Sequence, residues 1–114
     1  MPTRFHRALL PLAALVVTPL LAFHHAPPTL QIELFTFAPK TVTVAAGDTL
    51  VVTNGDDTEH TLTFGTPDKK DTRLTGTVLG KGGTAAVTPK TPGVYPFYCE
   101  RHPFMTGTLT VTAD

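Results

Sequence analysis

The chain has 114 residues, 41% of them hydrophobic and 16% charged, which is enough apolar material for one small folded domain. Nine Lys and Arg balance nine Asp and Glu, so no basic stripe exists for a nucleic-acid backbone. A single cysteine excludes an internal disulfide, a cysteine-rich zinc finger, a four-cysteine iron–sulfur cluster and a C-x-x-C-H haem attachment.

The first 26 residues differ from the rest. Arg4, His6 and Arg7 precede an apolar run from Ala8 to Phe23 that is 16 residues long and carries Pro11 and Pro19. That is short for a membrane span and has the pattern of a secretory signal peptide, with Ala22 the best cleavage position. Residues 1–26 are therefore expected to be a signal peptide and short N-terminal tail, and residues 27–114 the domain. The membrane is reached only if this segment stays uncleaved. Loss of Arg4 and Arg7 leaves seven Lys and Arg against nine Asp and Glu, a net charge of about −2. Cleavage after Ala22 would also expose Phe23-His24-His25, a chelating arrangement for square-planar Cu(II).

From residue 29 onward the pattern alternates. Leu30, Ile32 and Leu34 point to one face of a strand, with Phe35 and Phe37 following. Val42 and Val44 alternate with Thr41 and Thr43, and Thr49–Thr53 forms the next strand after the turn at Ala46-Gly47-Asp48. Asn54-Gly55-Asp56-Asp57 is dense turn chemistry. His60–Phe64 alternates again, Gly65–Asp71 is a polar loop, and Thr72–Leu79 is a strand weakened by Gly76. Thr84–Thr88, Val94–Cys99 and Thr106–Thr112 complete the set, with Pro96 requiring a position where no ladder N–H is needed. Seven to eight short strands separated by turn signals predict an all-β antiparallel sandwich or barrel.

Cys99, His102 and Met105 follow one another at steps of three in a tight loop, and His60 opens a separate strand after a turn. Two imidazoles, a thiolate and a weak thioether are the ligand set of a blue-copper electron-transfer site. Sulfur suits Cu(I), imidazole suits both oxidation states, and a fixed site asks little movement of either. Taken singly, each residue is as well explained by packing; the combination points to copper.

The segment CERHPFM resembles the short ligand loop of the cupredoxins, the type 1 blue copper proteins of the plastocyanin and amicyanin type, and is most similar to amicyanin. GVYPFYC is similar to the family's Gly-x-Tyr-x-aromatic-x-Cys. The run from Phe37 to Phe64 resembles the family's path, with Pro39, Val44, Gly47, Asp48, Asn54, Asp57 and His60 at familiar stations. The resemblance covers residues 29–113. It implies a Greek-key β-sandwich, one copper ion cycling between Cu(I) and Cu(II), ligands His60, Cys99, His102 and Met105, and one-electron transfer. Two positions depart from the family pattern. Thr61 stands where Asn commonly ties two loops together, and Arg101 stands where the amicyanin-like loop has Pro. Unlike Pro, Arg101 has a backbone N–H, expected to point at the Cys99 sulfur.

The expected activity is electron shuttling by an exported or periplasmic monomer that is not an enzyme. Copper storage or delivery with the same four ligands is the alternative. Redox partner proteins are expected to dock over His102, Pro103 and Phe104. Asp56, Asp57 and Glu59 are read as a patch steering a basic partner, as a cation site or as a solvated turn.

Overall fold

The computed structural model describes residues 1–3, 8, 10–17 and 26–113. Arg4, His6, Arg7, the Ala22 cleavage position and His24-His25 lie outside the described residues. Residues 10–17 form neither helix nor strand, and their apolar side chains are exposed. Among the described residues no helix is long and apolar enough to cross a membrane.

Ten strands follow: β1 (Thr29–Glu33), β2 (Thr36–Ala38), β3 (Thr41–Ala45), β4 (Leu50–Asn54), β5 (His60–Thr66), β6 (Lys69–Lys70), β7 (Thr77–Leu79), β8 (Thr84–Val87), β9 (Gly93–Tyr98) and β10 (Thr106–Thr112). They form two sheets, one ordered β2-β1-β4-β8 and the other β3-β10-β9-β5-β6, with β7 also pairing with β5. Alternation builds the interior. Leu30, Ile32, Leu50 and Val52 from the first sheet meet Val42, Val44, Leu62, Phe64, Phe97, Leu109 and Val111 from the second, all buried. Phe37 stands edge-on to Phe97 at 4.9 Å between ring centroids, within the range aromatic pairs favour.

The sandwich expected from the sequence is present, with two differences of detail. The pairings β1–β4 and β3–β10 are parallel, so both sheets are mixed. The strand number is higher because the short β2, β6 and β7 each pair with a neighbour. Pro96 lies beyond the last β5–β9 pair, Phe64 with Phe97, where the missing N–H breaks no bond to β5.

Leu34 does not continue the inward alternation of β1. It is 88% exposed, and Leu34 and Phe35 form a two-residue turn with φ of 51° and 57°. Such hairpin turns normally take Asn-Gly, because the left-handed region costs other residues about 1–2 kcal/mol each. Here the Asp56 carboxylate offsets the strain. It accepts the Leu34 N–H at 2.7 Å and the Phe35 N–H at 2.9 Å.

Candidate metal centre

The second sheet brings the main donors to one end of the sandwich. His60 opens β5, and Cys99 follows the last residue of β9, the strand beside it. From Cys99 to Met105 the chain turns back into β10. The turn is closed by two backbone bonds, Met105 N–H to the His102 carbonyl at 2.8 Å and Cys99 N–H to the Met105 carbonyl at 3.1 Å. His102 is half-buried on this loop, and Pro103 and Phe104 are exposed at its tip.

His60, Cys99 and His102 converge, with their ligand atoms all within 4.8 Å of one another. Cys99 Sγ lies 3.8 Å from His60 Nδ1 and 3.8 Å from His102 Nδ1. A first-row ion about 2.0 Å from each nitrogen and about 2.3 Å from sulfur, with trigonal angles, separates sulfur from nitrogen by about 3.7 Å. The donors thus fit a soft-to-borderline metal in both chemistry and spacing. His60 and Cys99 are fully buried, and Met105 is buried at the foot of the loop.

The surroundings fix these groups. Thr61 N–H points at Cys99 Sγ at 3.4 Å, a donor suited to a thiolate. This is where the structure departs from expectation: the sulfur takes its backbone donor from Thr61, and no hydrogen bond from Arg101 N–H to it is present among the described residues. The Arg101 side chain instead pairs with Glu59. Thr61 does join the two loops despite its short arm, since its hydroxyl accepts the Glu100 N–H at 2.8 Å. Asn54 anchors the loop before His60 by donating to the carbonyls of Thr58, Leu79 and Gly80 and accepting the Asp56 N–H.

Two residues that shape the centre were not singled out for it by sequence. Phe35 sets its ring edge-to-face against both imidazoles, with centroids 5.2 Å from His60 and 4.9 Å from His102. Asp56 Oδ2 lies 2.8 Å from His60 Nε2. Burial opposes the Asp56 charge, but N–H donation from Phe35, from His60 and from Leu34 outweighs it and holds the carboxyl below its ordinary pKa. A signal existed in the spacing, an acid four residues before a ligand-type histidine. The three acids do not form a free patch: Asp56 is turned inward, Asp57 pairs with Lys81 at 3.2 Å, and Glu59 pairs with Arg101.

Comparison with known proteins agrees with this architecture. Residues 8–111 match the family model described as a cupredoxin-like domain. Amicyanin of Paracoccus versutus is 30% identical over 80 residues, covering 70% of this chain and 61% of that protein. Chloroplastic plastocyanin of Physcomitrium patens is 32% identical over 84 residues, covering 67% of this chain and 50% of that protein. The chain thus spans about half to three-fifths of the length of these two relatives. A purple cupredoxin from Nitrosopumilus maritimus superposes with a TM-score of 0.67 at 23% identity, over 75% of this chain and 99% of that one, a likeness of fold. With two mixed sheets packed face to face and a thiol and two imidazoles gathered at one end, the chain belongs to the cupredoxin-like domain family.

Proposed function

We propose that this protein is an exported mononuclear type 1 copper protein that carries single electrons between redox partners. One copper ion, alternating between Cu(I) and Cu(II), would be held by His60, Cys99, His102 and Met105. The observation that carries the reading is the equal 3.8 Å spacing of the Cys99 sulfur from both imidazole nitrogens. The ion supplies the redox couple; the chain supplies a buried thiolate-imidazole site whose parts are already in place.

Among the described residues one group of three metal-binding side chains converges, His60 with Cys99 and His102. On this reading the domain is a carrier and not an enzyme in its own right. Residues 27–114 are the working unit. The exposed, unstructured apolar run at 10–17 supports an export segment before it.

Electrons leave through the half-buried His102 edge. Pro103 and Phe104 border it, Phe104 being 70% exposed, and the Leu34-Phe35 turn adds apolar surface beside it. An apolar patch of this kind suits brief docking of a redox partner. Because Asp57 and Glu59 are in ion pairs, apolar contact rather than acidic steering dominates the encounter.

Loading the protein with Cu(II) tests the site. An intense visible band is expected, and Cys99→Ser should abolish it while the copper-free domain stays folded. A band that survives Cys99→Ser overturns the ligand assignment. Reversible voltammetry with slow copper loss supports a carrier, whereas ready transfer of copper to a chelator favours storage or delivery. For docking, Phe104→Glu should slow the second-order electron-transfer rate with an unchanged copper spectrum, and an unaltered rate places the partner elsewhere.

A further inference from the structure

Asp56 stands where two independent demands meet. Its carboxylate accepts the N–H groups of both left-handed residues of the Leu34-Phe35 turn, and the same Oδ2 that takes the Phe35 N–H lies 2.8 Å from His60 Nε2. The His60 side chain is fully enclosed and that of Asp56 is 11% exposed, so water competes little for the contact. A carboxylate only accepts hydrogen bonds, so the Nε2 facing it must carry a proton. The neutral ring then has its lone pair on Nδ1, the atom facing Cys99 Sγ. Among the described contacts of His60, Asp56 is the one polar group facing Nε2, whereas the Cys99 sulfur beside Nδ1 can donate or accept and is compatible with either tautomer. The alternative, with Nδ1–H aimed at the sulfur, cannot bind a metal there.

We propose that Asp56 is a positioning residue for His60, fixing its Nε2–H tautomer in the metal-free protein and raising the donor strength of Nδ1 toward the oxidised ion. The inference rests on the copper reading for its second half only. A carboxylate that accepts the far N–H of a ligand imidazole makes the ring more electron-rich and orients it. The more electron-rich ring favours Cu(II) over Cu(I), so Asp56 lowers the reduction potential. The Leu34-Phe35 turn is tied in through the same two oxygens, which places the Phe35 ring against both imidazoles by way of the residue that orients one of them.

The test separates the parts. Long-range ¹H–¹⁵N correlation spectra of the metal-free protein at about pH 8, above the ordinary histidine range, report the tautomer with no copper present. The expected result is a single Nε2–H form of His60 in the wild type and a mixture containing the Nδ1–H form in Asp56→Ala. Because Asp56→Ala also releases the strained turn, the same change is made in a Leu34→Asn background, since Asn enters the left-handed region more readily. Competition titration with Cu(II) should then show affinity lower by about 10–100-fold. Voltammetry of Asp56→Asn, which keeps an acceptor oxygen but loses the charge, should give a higher potential. An Nδ1–H tautomer in the wild type, or an unchanged tautomer in Asp56→Ala, overturns the proposal. An unchanged or lower potential in Asp56→Asn overturns the donor-strength half. A wild type that shows the Nε2–H form but no copper–thiolate band sinks the copper reading and leaves the tautomer assignment standing.

Discussion

Thr61 offers the sharpest test of how the two halves of the centre are joined, because among the described residues its hydroxyl is the only side-chain link from β5 to the first residue after Cys99. In Thr61→Val the shape is kept and the acceptor lost. The Glu100 N–H, bonded at 2.8 Å in a partly buried site, is then left without a partner, at about 1–3 kcal/mol. Thr63 loses a 3.0 Å hydroxyl contact but is only half-buried and can turn to water. The new methyl gains about 0.8 kcal/mol of apolar burial. The net loss is about 0.2–2 kcal/mol, which in a domain of this size lowers the melting temperature by about 1–15 °C. Urea unfolding of the metal-free protein measures the first quantity, with an unchanged slope showing that the unfolded state is the same. Hydrogen exchange at the Glu100 amide locates it. Protection should fall in Thr61→Val and survive in Thr61→Ser, which keeps the hydroxyl and loses only a methyl. A Thr61→Val protein within 0.5 kcal/mol of wild type, with Glu100 equally protected, refutes the bridge.

Two further outcomes follow from the packing and the charges. A Cβ at Gly107 would collide with the Phe97 ring and stand 2.8 Å from the Lys40 carbonyl oxygen, so Gly107→Ala should destabilise the metal-free domain by about 1–3 kcal/mol in urea melts, and an unchanged midpoint contradicts the close approach. Arg73 pairs with Asp71 at 2.6 Å and stacks on Tyr95, holding the Asp71 carboxyl at about 2. This stabilisation is present above the ordinary carboxylate range and is lost as pH falls through about 2. Arg73→Ala should bring the Asp71 titration, followed by NMR, back toward its ordinary 3.8, and a midpoint that stays at about 2 rejects the assignment.

The strands were legible because alternation is a local signal, and β3, β4, β5, β9 and β10 each lie close to where their apolar residues predict. What escaped was non-local. The parallel pairings of β1 with β4 and of β3 with β10 join segments whose own alternation says nothing about direction. The Leu34-Phe35 turn carries no glycine or asparagine, so local turn chemistry gave no warning; an acid more than twenty residues away supports it. Lys69-Lys70 reads as a loop, and is one except for its register against Gly65 and Thr66. At the centre, the gathering of His60, Cys99 and His102 was legible because their residue types are scarce and chemically specific. The hydrogen-bonding around them was not. Asp56 reads as one of three surface acids, and only the fold turns it inward. The sulfur's donor was expected from Arg101 inside the loop, yet comes from Thr61 across the sheet.

That last difference says what holds the centre. Continuing the β5–β9 register beyond Thr63–Tyr98 sets Leu62 opposite Cys99 and Thr61 opposite Glu100. The ladder itself thus delivers His60 and Cys99 to the same end of the sheet. Where backbone pairing stops, the Thr61 N–H and hydroxyl take over, one on the sulfur and one on the next amide. The ion pairs flanking the loop, Lys70–Glu100 at 2.5 Å and Arg101–Glu59, are exposed, and pairs of that kind contribute at most about 1 kcal/mol. They orient the loop more than they stabilise it. Two of the three converging donors are therefore fixed by sheet backbone and the third by a loop closed with two backbone bonds. None of these restraints needs an ion to form. On the proposed reading, donors fixed in this way would keep nearly the same positions in either oxidation state, as a one-electron carrier requires, whereas a site built to release its metal would have to loosen them.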